Sequence, residues 1–135
     1  MDRKEQAKML SDHGFNCCQA VACSFCNVMG EDPIHVFKMA EAFGHGMGTM
    51  VTCGAVSAMA MVAGMKLSDA NLDHPRSRGN CYTMMQLMIG EFLEKNGSIV
   101  CRELKGVDTG KPLRSCEGCI EDAVEILDRC LLGIE

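Results

Sequence analysis

The sequence predicts an all-α fold, and three observations carry that prediction. Aromatic residues make up only 4% of the chain and Trp is absent, so the core must be built from Ala, Val, Leu, Ile, Met and Cys, a mixture that suits closely packed helices. Capping residues stand just ahead of apolar stretches with helical spacing, at Asn16, Asp32, Thr52, Asn80 and Ser115. No stretch reads convincingly as a strand. With 135 residues and a 47% hydrophobic fraction, one compact domain over 1–135 is expected, built of about five to six helices.

Taken in order, Asp2 to His13 places charge on one side and Ala7, Met9 and Leu10 on the other, a first helix ending near Gly14. Asn16 caps a second, running from Cys17 through Val28 and stopped by Gly30. Asp32 and Pro33 form an N-cap and N1 pair for a third helix that reaches about Phe43. Gly44, Gly46 and Gly48 then alternate through an open loop. The fourth helix follows Thr52 as N-cap, with Cys53 in its first turn. Its small residues Ala55, Ser57, Ala58 and Ala60 allow another helix close, which makes it central. Lys66 to Arg78 is a polar connection. Asn80 caps a long helix from Cys81 to about Lys95, closed by Asn96-Gly97. Ser98 opens a short helical piece around Cys101 to Leu104, Gly106 to Arg114 is a loop, and the last helix starts at Ser115 with Ala123, Val124, Ile126, Leu127 and Leu131 as its buried stripe.

Charge and composition narrow the function. A net charge of −5 without a lysine or arginine cluster argues against nucleic acid, and no apolar run approaches a membrane span. Ten cysteines would suit a disulfide scaffold in a secreted chain, but Met1 to Gln6 shows no apolar signal segment behind it, so a cytoplasmic, reducing compartment is expected. There the same count points to metal binding or thiol redox chemistry.

The positions of the cysteines sharpen this. Asn16-Cys17, Thr52-Cys53, Asn80-Cys81 and Ser115-Cys116 each set a cysteine directly after a capping residue, Cys101 lies three residues after Ser98, and Cys119 is one turn beyond Cys116. Thiolates favour such places because unpaired N–H groups and the helix dipole offset their charge. Cys53, Cys101 and Cys116 are therefore functional candidates, with Cys17 and Cys119 beside them. Cys18, Cys23, Cys26 and Cys130, inside helices, read as small core hydrophobes. Of two C-x-x-C pairs, Cys116–Cys119 carries more weight than Cys23–Cys26 because it opens a helix, and neither is followed by His. His45, between two glycines and eight residues before Cys53, is the one histidine placed to reach a shared crevice as a supporting donor or ligand. Twelve methionines at helical spacing read as pliable core filling. The glycine alternation matches neither phosphate-binding fingerprint, which disfavours nucleotides.

Four blocks in order, Gly14 to Val21, the glycine-rich lead into Cys53-Gly54-Ala55-Val56-Ser57, Gly97 to Leu104, and Cys116 ahead of Ala123 to Leu127, resemble the C_GCAxxG_C_C family, whose members are described as redox-active. The resemblance implies Cys17, Cys53, Cys101 and Cys116 as the family's cysteine set, in an all-helical domain common in anaerobic bacteria and archaea. It also suggests iron–sulfur chemistry, since a similar domain accompanies haem in split-Soret cytochromes, where an iron–sulfur centre is present. Ala58 stands here where the family's name motif ends in glycine, which touches helix packing rather than a ligand.

Three functions fit these residues. The first is an iron–sulfur cluster held by Cys17, Cys53, Cys101 and Cys116, with Cys119 able to substitute for one of them, serving electron transfer or redox sensing with a partner protein. The second is a metal-free dithiol oxidoreductase, in which Cys53 is catalytic and a neighbouring cysteine resolves the mixed disulfide. The third is a zinc or soft-metal binding module using the same thiolates. A Met- and Ala-rich helical surface also makes a homodimer an expectation.

Overall fold

The structure, a computed structural model, describes residues 2–134. It is all-helical, in agreement with the composition, but the number of helices is larger than expected: eight α-helical segments among the described residues rather than five to six. In chain order they are α1 (Arg3–Asp12), α2 (Cys17–Ser24), α3 (Cys26–Met29), α4 (Pro33–Ala40), α5 (Gly54–Leu67), α6 (Arg78–Asn96), α7 (Cys101–Lys105) and α8 (Cys116–Leu132).

One source of the difference is a break at Phe25 in what the sequence presents as a single helix. The Ser24 hydroxyl donates back to the Val21 carbonyl at 2.7 Å, and the Phe25 N–H takes the Ala22 carbonyl three residues back instead of four. Both interactions compete with the regular ladder and tighten the turn until it ends. Phe25 is then free to turn fully into the core, where the Arg3 guanidinium lies over its ring.

Several expected caps close as read. Asn16 and Gln19 make a reciprocal capping box, Asp32 accepts from the Ile34 N–H ahead of Pro33 at N1, and Ser115 accepts from the Gly118 N–H. Asn80 does not cap. Helix α6 begins three residues earlier, after Ser77, whose hydroxyl is occupied by the Asp69 N–H and makes no cap bond. Cys81 consequently sits inside the helix rather than at its start.

Helix α5 occupies the centre, packed against α2, α6 and α8, while α1 lies across α2 and α8. It is apolar on nearly every side, with Ala55, Val56, Ala58, Met59, Val62 and Ala63 all buried, as a core helix must be. Its alanines bring neighbouring backbones close, and Phe25, Phe92, Met88, Val124 and Leu127 fill the remaining space. No described helix is long and apolar enough to cross a membrane.

A candidate thiol redox centre

The N-terminal end of α5 is tied to that of α7 by a single antiparallel bridge between Thr52 and Val100. Its two hydrogen bonds are donated by the cysteines themselves: the Cys53 N–H to the Ile99 carbonyl at 2.7 Å, and the Cys101 N–H to the Val51 carbonyl at 2.6 Å. Each chain then leaves the bridge directly into a helix. This corrects the expected capping of α5. Thr52 is spent in the bridge, the helix starts one residue later, and Cys53 is itself the N-cap.

The bridge sets Cys53 and Cys101 side by side, and the packing of α2 and α8 against α5 brings the remaining thiols to the same place. Cys17 at the first position of α2, Cys116 at the first position of α8 and Cys119 one turn later line one pocket with Cys53 and Cys101. Its volume is about 180 Å³, and its wall is completed by Ser11, His45, Gly54, Leu104, Lys105, Arg114 and Ile120. All ten cysteines are free thiols. Cys18, Cys23, Cys26, Cys81 and Cys130 do not line this pocket.

Two glycines make the convergence possible. A Cβ on Gly54 would run into the Cys17 sulfur and lie 3.0 Å from the Phe43 carbonyl oxygen, so glycine there is what lets α2 and α5 bring their first turns together. A Cβ on Gly46 would stand 2.6 Å from the Val51 nitrogen and 2.8 Å from the Cys101 Cβ. The expected open glycine loop is instead a tight, kinked turn over Gly46–Met50, closed by the Val51 N–H to the Gly46 carbonyl at 3.0 Å, entered with His45 at φ 55° and continued with Met47 at φ 59°. Non-glycine residues in this left-handed region cost free energy that surrounding packing must offset, a pattern common around functional sites.

The five thiols are electrostatically unequal. Cys53 is lowered to about 7, first because Cys119 donates a hydrogen bond to its sulfur, and further by the N–H groups of Ala55 and Val56 at the start of α5 and by the Lys105 ammonium; burial opposes them. Neither N–H closes a full cap hydrogen bond. The thiolate is thus favoured at one sulfur. Cys119, as donor to that sulfur and buried, is pushed strongly up. Burial also raises Cys17, partly offset by the backbone N–H of His45, and Cys101, partly offset by Lys105. Away from the pocket burial drives Cys18 and Cys26 up to about 12, and burial together with Glu91 drives Cys130 up to about 11.

His45 reaches the site differently from the way its sequence position suggests. Its main-chain N–H faces the Cys17 sulfur, while its ring Nδ1 lies 3.2 Å from the Lys105 Nζ. An ammonium can only donate, so Nδ1 is the acceptor in this pair. Lys105 and Arg114 carry no sequence signal for the site: each is remote from the cysteines it faces until the chain folds. Arg114 is held by Asp122, a carboxylate 1% exposed that also accepts from Lys95 and Asn96.

A family model described as "Putative redox-active protein (C_GCAxxG_C_C)" matches residues 15–130, a span that contains every thiol of the pocket. The chain belongs to the C_GCAxxG_C_C family. No curated protein and no solved structure matches it. The family is described as redox-active, and the pocket gathers five of this chain's thiols.

Among the described residues no group of three or more His, Cys, Asp or Glu side chains is arranged to hold a single metal ion. The thiols surround a cavity instead of meeting at a point. A multi-iron cluster, with each thiolate on its own iron, suits a ring of soft donors around a space better than one ion does. The chemistry of the set, five sulfurs with Lys105 and Arg114 to offset negative charge, fits such a group.

Proposed function

We propose that the pocket is the seat of an iron–sulfur cluster and that the protein works in electron transfer or redox sensing. The observation that carries this reading is the delivery of five sulfurs from four separate helix starts to one cavity, more than dithiol chemistry alone requires. Cys17, Cys53, Cys101 and Cys116 are assigned as the holding thiolates. A cluster so bound supplies a one-electron couple. The chain's own part is to hold the sulfurs in place, to shield them beneath Leu104 and Ile120, and to balance their charge with Lys105, Arg114 and the first-turn N–H groups of α2, α5 and α8.

The test is anaerobic reconstitution followed by iron, zinc and acid-labile sulfide analysis with visible and electron paramagnetic resonance spectra. Iron and sulfide in comparable amounts, lost in Cys17→Ser and Cys101→Ser but kept in Cys23→Ser, are expected. Colourless protein without iron, or protein that takes up zinc alone, would overturn the proposal.

A further inference from the structure

Of the three alternating glycines, Gly46 is required by its closeness to Cys101 and Val51, but Gly44 needs no special backbone: its φ of −66° and ψ of 159° are open to any residue. Its constraint is space. A Cβ there would run into the side chain of Asn16, 2.6 Å from the Asn16 Cβ. Asn16 in turn does more than cap α2. Its Oδ1 accepts from the Gln19 N–H at 2.9 Å and its Nδ2 donates to the Glu41 carbonyl at 2.8 Å, so the two ends of one amide serve two segments of the chain. An aspartate cap such as Asp32 has no proton to give in this way. Gln19, 4% exposed, repeats the pattern: Oε1 accepts from the Asn16 N–H at 3.0 Å and Nε2 donates to the Phe37 carbonyl at 3.1 Å.

These bonds fasten the chain leaving α4, the 3₁₀ turn Glu41–Phe43 with Gly44 after it, onto the first turn of α2. Cys17 directly follows Asn16, and its sulfur and the Phe43 carbonyl oxygen both lie against Gly54 at the start of α5. The fastened segment therefore runs beside that sulfur. Two residues further on, Gly46 packs against the Cys101 Cβ, so the segment borders two of the pocket's thiols. We propose that Asn16 is a positioning residue of the thiol pocket: its amide latches the Glu41–Gly44 segment to α2, and the latch keeps the Cys17 sulfur in its place on the pocket wall.

The latch stands on these hydrogen bonds and on the space at Gly44, whereas its consequence for iron rests on the cluster reading above. A serine at position 16 would begin α2 about as well as asparagine but has no second donor to reach the Glu41 carbonyl. The segment can then open beside Cys17 while α2 stays helical. Loss of one hydrogen bond of ordinary strength shifts such a local opening about fivefold.

The experiment labels reduced, metal-free full-length protein with iodoacetamide and follows each cysteine by fragment-resolved peptide mass spectrometry. The readout is the rate at Cys17 relative to Cys18, its buried neighbour in the same turn, because a variant that merely loosens α2 speeds both. Asn16→Ser and Gly44→Ala disturb the contact from opposite sides, and each should raise this ratio about fivefold. An unchanged ratio in either variant, or equal acceleration at Cys18, would overturn the latch. Iron retention supplies the second readout. Reconstituted Asn16→Ser should lose iron to EDTA about fivefold faster than wild type, and equal loss alongside a raised labelling ratio would overturn the consequence for iron. If wild type takes up no iron while the ratio rises in both variants, the cluster reading fails and the latch stands.

Discussion

Replacing Gly54 by alanine opposes two effects that are normally inseparable. Alanine is favoured over glycine by about 1 kcal/mol in a helix interior and by less at the first position, where Gly54 sits, so propensity alone predicts a small gain. The added methyl at Gly54, however, meets the Cys17 sulfur, the Phe43 carbonyl oxygen at 3.0 Å and the Cys18 nitrogen at 3.2 Å. Two of these three atoms are backbone and the third belongs to a half-buried side chain at the start of α2, so relief requires α2 and α5 to part. Overpacking of this kind costs about 1–3 kcal/mol, and the rigid neighbours place Gly54→Ala in the upper part of that range. The net expectation is a loss of about 1–2 kcal/mol, or a fall in Tm of roughly 3–8 °C for a chain of this length. Gly64, in the same helix, has nothing within 4 Å of an added Cβ, so Gly64→Ala should gain about 0.5–1 kcal/mol. Thermal unfolding followed by circular dichroism under reducing, oxygen-free conditions measures both. Opposite signs support close approach of α2 and α5 at the pocket. If Gly54→Ala is as stable as Gly64→Ala and its iron uptake is unchanged, the two helices do not meet as described.

Other outcomes follow from the same geometry. In metal-free protein the alkylation rate of Cys53 should titrate near 7, and Cys119→Ala should move the midpoint upward toward the ordinary thiol value of about 8.5, because the donor that stabilises the thiolate is removed. Iron uptake should rise with pH through the neutral range, since Cys17 and Cys101 are held up by burial and must lose protons to bind; uptake independent of pH would argue against thiolate ligation. In native-state labelling at pH 8, exposed Cys116 should react first, while Cys18 and Cys26, both raised to about 12, should react only on unfolding. Asp122→Asn should cost about 2 kcal/mol at pH 7, less than a fully buried pair because Lys95 and Arg114 are partly exposed. Burial pushes the Asp122 carboxyl up, but Lys95, Arg114 and Asn96 together hold it below its ordinary value. Its stabilisation is therefore present above the unfolded pKa of about 3.9 and lost as pH falls through the folded value, so urea melts of wild type and variant should converge in strong acid.

Much of the helical layout was legible because it is written locally. Asn16 with Gln19, Asp32 with Pro33, and Ser115 with Gly118 are caps whose partners lie within three residues, and each closes as its spacing implies. Other readings failed. Thr52 is drawn into a bridge with Val100, far along the chain, so α5 starts late; the Ser24 hydroxyl takes the Val21 carbonyl, so one expected helix becomes two; and α6 starts at Arg78, ahead of the expected cap Asn80.

The sequence by itself determined that the chain is helical and that Cys17 and Cys116 directly follow the capping residues of their helices, whereas it placed Cys81 at a helix start that the fold moved and Cys53 one position past its cap. A cap is a short-range interaction, and a single strand of residues encodes it completely. Which thiols share a cavity, which of them carries the charge, and which cations face them were decided only when α2, α7 and α8 closed on α5. Those properties depend on distances between residues far apart along the chain: Cys119 lowers Cys53 and Lys105 pairs with His45 because packing, not spacing, makes them neighbours.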